Sequence, residues 1–124
     1  MRIMYPIVCL AQRIAWSNVA ELRNPYKLTF ALTYRCQLRC TMCNIWQKDP
    51  QPEITIDEIA ALFRNFPGFS WINLSGGEIF LRRDIEEIFE VIAGSCKDLY
   101  LLNFPTNSYE SDLIVQTVGR LVRL

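Results

Sequence analysis

Three cysteines fall within one short segment, Cys36-Gln37-Leu38-Arg39-Cys40-Thr41-Met42-Cys43. With five cysteines in 124 residues, chance placement at one chosen spacing of this kind is roughly one in a hundred. A loop of this length can fold three sulfurs around one centre, as an iron–sulfur cluster or zinc requires. Soft thiolates favour these over magnesium or calcium. Arg35 and Arg39 would help to stabilise thiolate charge. Zinc needs a fourth ligand, and Cys9 or Cys96 would have to supply it. Cys9 sits among apolar neighbours and reads as packing, while Cys96 lies at the far end of a strand-helix unit. Three ligands on a four-iron cubane leave one iron open, free to bind a small molecule. Unligated thiols are the remaining reading.

Composition narrows the chemistry further. The chain has no histidine, which excludes Ser-His-Asp and Cys-His catalysis, His-ligated zinc or haem, and an imidazole pH switch from its own residues. Thirteen Lys+Arg balance thirteen Asp+Glu, so there is no basic footprint for nucleic acid or an acidic membrane. At 51% hydrophobic and 21% charged, the chain is an ordinary globular one. An odd cysteine count argues against a secreted disulfide scaffold. The apolar stretch 3–11 after Arg2 imitates a signal peptide, but Pro6 interrupts it and no cleavage site follows. No stretch approaches the roughly 18 apolar residues of a membrane helix. A cytoplasmic location, where thiols stay reduced, is expected.

These residues need a scaffold, and the pattern supplies one. Ile7, Leu10, Ala11, Ile14, Ala15, Val19 and Leu22 recur at helical spacing before Asn24-Pro25, predicting an amphipathic helix. Leu28, Phe30 and Leu32 alternate with Thr29, Ala31 and Thr33 as a strand running into the cysteines. A polar loop holding Pro50 and Pro52 follows. Thr55 and Glu58 have capping-box spacing ahead of Ile56, Ile59, Leu62 and Phe63, with Pro67-Gly68 as the stop. Residues 71–74 read as a buried strand ending at Ser75-Gly76-Gly77. Asp84 is expected to cap a helix carrying Ile85, Ile88, Phe89 and Ile92, ended by Gly94. Residues 99–102 make a third strand, then the turn Pro105-Thr106-Asn107-Ser108. A last helix places Leu113, Ile114, Val118 and Leu121 on one side. Such alternation implies a parallel sheet with helical crossovers. Sites in such sheets lie beyond the carboxyl ends of the strands. The cysteine loop, Ser75-Gly76-Gly77-Glu78 and Thr106-Asn107-Ser108 each follow a strand, so all three are expected at one rim.

The cysteine run after the first strand, with Ser75-Gly76-Gly77-Glu78 after the second, resembles the radical S-adenosylmethionine (SAM) superfamily. The context Thr33-Tyr34-Arg35-Cys36 and Cys43-Asn44-Ile45-Trp46 is similar to the branch containing the molybdenum-cofactor cyclase and SPASM-type members. Gln37 stands where Asn is commoner, and Ile79 where Pro often follows the glutamate. The resemblance spans residues 26–124. It implies that Cys36, Cys40 and Cys43 hold a [4Fe-4S] cluster whose open iron is chelated by SAM. It also implies that Ser75, Gly76 and Gly77 present strand-end backbone to the methionyl amino group, with Glu78 supplying charge beside it. Met42 would lie beside the adenine, and Asn107 would face the ligand. The implied reaction is reductive cleavage of SAM to a 5′-deoxyadenosyl radical that takes hydrogen from a substrate, either a small molecule or a peptide. An electron donor such as a flavodoxin or ferredoxin is the implied partner.

The expected fold is α/β, a parallel sheet of three strand-helix units forming the N-terminal part of a partial (β/α)6 TIM-like barrel. An N-terminal helical segment, 1–25, precedes a truncated core, 26–124. The superfamily core has about six such units, so the chain is expected to be an N-terminal fragment, with an exposed edge and apolar surface where a fourth unit packs. A non-catalytic metal-binding module, holding zinc or a decayed cluster site, is the alternative function.

Overall fold

The computed structural model describes residues 4–49 and 51–123; Arg2, Ile3, Pro50 and Leu124, invoked above, lie outside the described residues. Helix α1 (Met4–Ser17) comes first, then strand β1 (Lys27–Thr33), α2 (Ile56–Asn65), β2 (Trp71–Gly76), α3 (Ile85–Ser95), β3 (Leu101–Asn103) and α4 (Ser111–Leu121). The strands form one sheet in the order β1-β2-β3, and both pairings are parallel. On the central strand Ile72 lies between Leu28 and Leu102, and Asn73 between Thr29 and Asn103.

One face of the sheet carries the core. Leu32, Ile72 and Leu74 are buried there beneath Ile59 and Phe63 of α2 and Ile85, Ile88, Phe89 and Ile92 of α3. The period-2 strand pattern and period-3.6 helix pattern meet at this layer, which is why both were readable from the sequence. The opposite face is more polar. Trp71 donates its indole N–H to Asn103 at 2.8 Å, Asn103 donates to Asn73 at 2.7 Å, and Lys27 Nζ stands 3.8 Å over the Trp71 ring. Below the site, Phe80 packs on Phe104 at 5.7 Å between ring centroids, and Phe89 on Phe104 at 5.4 Å. That aromatic cluster joins the turn after β2 to the loop after β3.

The elements depart from the sequence reading in five places. Helix α1 stops at Ser17 rather than near Leu22, because Ser17 Oγ and Asn18 Nδ2 donate to the Ile14 carbonyl and compete with its continuation. Strand β3 begins at Leu101, not residue 99, since its pairing starts where Leu101 meets Trp71. Gly94 lies inside α3, which runs on until Cys96 bonds back to the Ile92 carbonyl. Asp84 precedes α3 but makes no side-chain cap; Arg82 has taken its carboxylate. In α4, Leu113 is exposed, while Ile114, Val118 and Leu121 pack on the core around buried Thr117. The Thr55–Glu58 capping box is present in full. Among the described residues no helix is long and apolar enough to cross a membrane.

Candidate metal centre at the strand ends

The backbone of the cysteine loop is attached to the end of β2 before any side chain is considered. Gly77 N donates to the Thr33 carbonyl at 2.8 Å, and Glu78 N donates to the Arg35 carbonyl at 2.9 Å. This contact explains the paired glycines. A Cβ on Gly76 would stand 2.1 Å from the Thr33 carbonyl oxygen, and Gly76 has φ +124°, a region L side chains rarely adopt. A Cβ on Gly77 would stand 2.0 Å from the Arg35 carbonyl oxygen and 3.2 Å from Cys36 Cβ. The glycines therefore let two strand ends close on each other, a role not anticipated from their sequence. Ser75 is half-buried and faces Ala31 in the register.

The loop after β3 reaches the same place through Glu78. This glutamate is 1% exposed. One carboxylate oxygen accepts from Phe80 N at 3.2 Å; the other accepts from Thr106 Oγ1 at 2.9 Å and Asn107 N at 2.7 Å. Asn107 in turn donates from Nδ2 to Cys36 Sγ at 3.8 Å and to Gln37 Oε1 at 3.2 Å. All three segments thus meet at one rim. Ser108 adopts φ +60° to turn the chain there. Met42, by contrast, is 99% exposed.

Two ion pairs that sequence spacing did not disclose support the base of the loop. Arg35 is not a thiolate partner. It grips Glu53 with two bonds, 2.8 and 3.0 Å, and reaches the Leu81 carbonyl at 3.3 Å. Thr33 Oγ1 also donates to Glu53. Burial opposes the charge on Glu53, but the bonds from Arg35 and Thr33 outweigh it and hold the carboxyl below its usual range. Arg82 is almost fully buried and donates to the carbonyls of Leu32 at 3.0 Å and Ile54 at 2.9 Å, besides its two bonds to Asp84. Those bonds hold the Asp84 carboxyl low and raise the guanidinium further. An Arg two residues before an Asp was the only local signal of this clamp.

Cys36 is half-buried, whereas Cys40 and Cys43 are exposed. Among the described residues no group of three His, Cys, Asp or Glu stands close enough to hold a metal ion together. The segment 34–44 forms no helix or strand, and within its second half Cys43 N donates to the Cys40 carbonyl at 3.1 Å. The donor set is purely thiolate, three in number, with its first member framed by Gly77 and Asn107. In type and number these residues fit a cluster with one open iron. Cys36 also lines a cleft of about 320 Å³ with Tyr34, Trp46, Lys48, Gln51 and Glu53. Trp46 Nε1 is buried without a hydrogen-bond partner among the described residues, a state that a bound acceptor relieves. Arg39 stands 5.3 Å over the Trp46 ring. The remaining thiols, Cys9 and Cys96, lie elsewhere: Cys9 on α1 and buried Cys96 just beyond α3.

Comparison with known proteins gives the chain a family. Residues 30–121 match the Radical SAM superfamily. A GTP 3′,8-cyclase of Stenotrophomonas maltophilia is 43% identical over 74 residues, covering 56% of this chain and 22% of the relative. A probable GTP 3′,8-cyclase of Methanocella arvoryzae is 41% identical over 68 residues, covering 52% of this chain and 22% of the relative. The molybdenum cofactor biosynthesis protein 1 of Dictyostelium discoideum is 34% identical over 86 residues, covering 64% of this chain and 14% of the relative. The chain spans less than a quarter of the length of these curated relatives.

Proposed function

The chain belongs to the radical SAM superfamily, whose cofactors are a [4Fe-4S] cluster and SAM, and from that membership we propose that Cys36, Cys40 and Cys43 are its cluster ligands. The observation that carries the assignment is the meeting of Gly77 and Asn107 at Cys36, since it sets three strand ends around one thiol. When bound, the cofactors supply one-electron cleavage of SAM to a 5′-deoxyadenosyl radical that removes hydrogen from a substrate. The protein's own part is positional. Gly76 and Gly77 bring the end of β2 against the cysteine loop. Glu78 accepts from Thr106 Oγ1 and Asn107 N and so fixes the loop after β3, and Ser75 and Asn107 would complete the wall that holds SAM. Met42, fully exposed, is available to cover the adenine.

The three strand-helix units after α1 form the first half of a partial (β/α)6 barrel in this reading. An electron donor such as a flavodoxin or ferredoxin would supply the reducing electron. Relatives named GTP 3′,8-cyclase make GTP the first substrate to test. Anaerobic reconstitution with iron and sulfide should give a brown protein with about four irons per chain, and dithionite with SAM should yield 5′-deoxyadenosine. Tight stoichiometric zinc with no such cleavage would instead establish a non-catalytic metal module.

A further inference from the structure

We propose that Asn107 sets the reduction potential of the cluster by donating an N–H···S hydrogen bond to the ligand Cys36; this rests on the ligand assignment above. The orientation of the Asn107 amide is determined by its other contacts. Its Oδ1 accepts from Tyr109 N at 2.9 Å, so Nδ2 is the atom turned toward the cysteine loop. The two hydrogens on Nδ2 have two acceptors, Gln37 Oε1 at 3.2 Å and Cys36 Sγ at 3.8 Å. The Asn107 backbone is held independently, through its N–H to Glu78. Cys36 is held from the other side, because Gly77 and Glu78 bond the carbonyls of Thr33 and Arg35. Both partners of the N–H···S contact therefore belong to the framed part of the rim. Cys40 and Cys43 are exposed and take no part in it.

Reduction adds one electron to a cluster whose negative charge is shared by its thiolate sulfurs. A hydrogen bond to one of those sulfurs stabilises the more negative, reduced state and raises the potential. Asn107 acts through Cys36, so it is a positioning residue, and its effect is readable without any substrate.

The test is a dithionite titration of the reconstituted chain followed by electron paramagnetic resonance, for wild type, Asn107→Ala and Asn107→Asp, with iron counted in each. Full iron in Asn107→Ala with a lower potential is expected. At fixed solution potential its reduced fraction relative to oxidised should fall a few-fold to about tenfold, the range of one ordinary hydrogen bond. Asn107→Asp keeps the acceptor for Tyr109 but offers a carboxylate to the sulfur, so its potential should fall further. Full iron with an unchanged potential in Asn107→Ala would overturn the proposal and leave the ligand assignment intact. Loss of iron in both variants, while wild type loads, would make Asn107 a folding residue and overturn it too. Failure of wild type to bind iron would remove the assignment itself.

Discussion

Gly77 separates two explanations of the same residue. As sequence it reads as an opening for a ligand's approach; in the structure its hydrogen faces the Arg35 carbonyl, where a methyl would sit 2.0 Å away. Gly77→Ala should therefore destabilise the cofactor-free protein by at least about 2 kcal/mol, as overpacking against backbone does. Thermal unfolding of the apoprotein reads this directly, and an unchanged melting temperature would return the glycine to a purely ligand-facing role. Glu78 carries the same lesson. A carboxylate in a Gly-Gly-Glu turn is easily taken for a solvent- or ligand-facing charge, yet this one is buried and has bonds from Phe80, Thr106 and Asn107. The cysteine spacing was legible because ligand count is a property of local sequence. The partners of Arg35 and Glu78 were not, because Glu53 lies 18 residues away and Asn107 lies 29 away.

At the scale of elements, local signals survived where the physics is local. The capping box at Thr55 needs only residues i and i+3, and it formed as read. Strand limits depend on a neighbour: β3 starts at Leu101 because Trp71 is opposite it. The Arg82 clamp spans three elements, tying the ends of β1 and of the loop before α2 to the start of α3. Arg82→Met should cost about 3 kcal/mol in denaturant unfolding, since two buried carbonyls and Asp84 lose their donor together. A loss below about 1 kcal/mol would mean that water replaces the guanidinium there. Ser108 offers the opposite change. It holds φ +60°, a conformation glycine adopts without steric cost, so Ser108→Gly should stabilise by about 0.5–1 kcal/mol despite its looser unfolded chain. A destabilised variant would show that the Ser108 side chain contributes contacts of its own.

The whole molecule responds to pH through pairs that tie its parts together. Glu53, Asp84 and Glu86 all have carboxyls held below their ordinary values, Asp84 by Arg82 and Glu86 by its bond from Arg120. Groups lowered on folding stabilise above their unfolded values and lose that contribution as pH falls through the folded ones. The melting temperature should thus be level above about pH 5 and fall steadily below about pH 4. Cys96 acts at the other extreme. Burial pushes its thiol from about 9 up to about 11, so its contribution is whole below pH 9 and fades as pH rises toward 11. Cys96→Ala should flatten that alkaline loss, and a profile identical to wild type would assign the loss elsewhere. At this scale the parallel three-strand sheet and the meeting of three loops followed from strand-helix alternation. The polar face formed by Trp71, Asn73 and Asn103 did not, because β2 reads as a short buried run until its pairing shows which side the helices cover.

The most direct measurement counts iron in five single variants of the anaerobically reconstituted chain: Cys36→Ser, Cys40→Ser, Cys43→Ser, Cys9→Ser and Cys96→Ser. The first three should lose the cluster's visible absorption and most of the about four irons, while the last two keep both. Full iron in Cys40→Ser, or its loss in Cys9→Ser, would contradict the assignment of the cluster to the loop after β1.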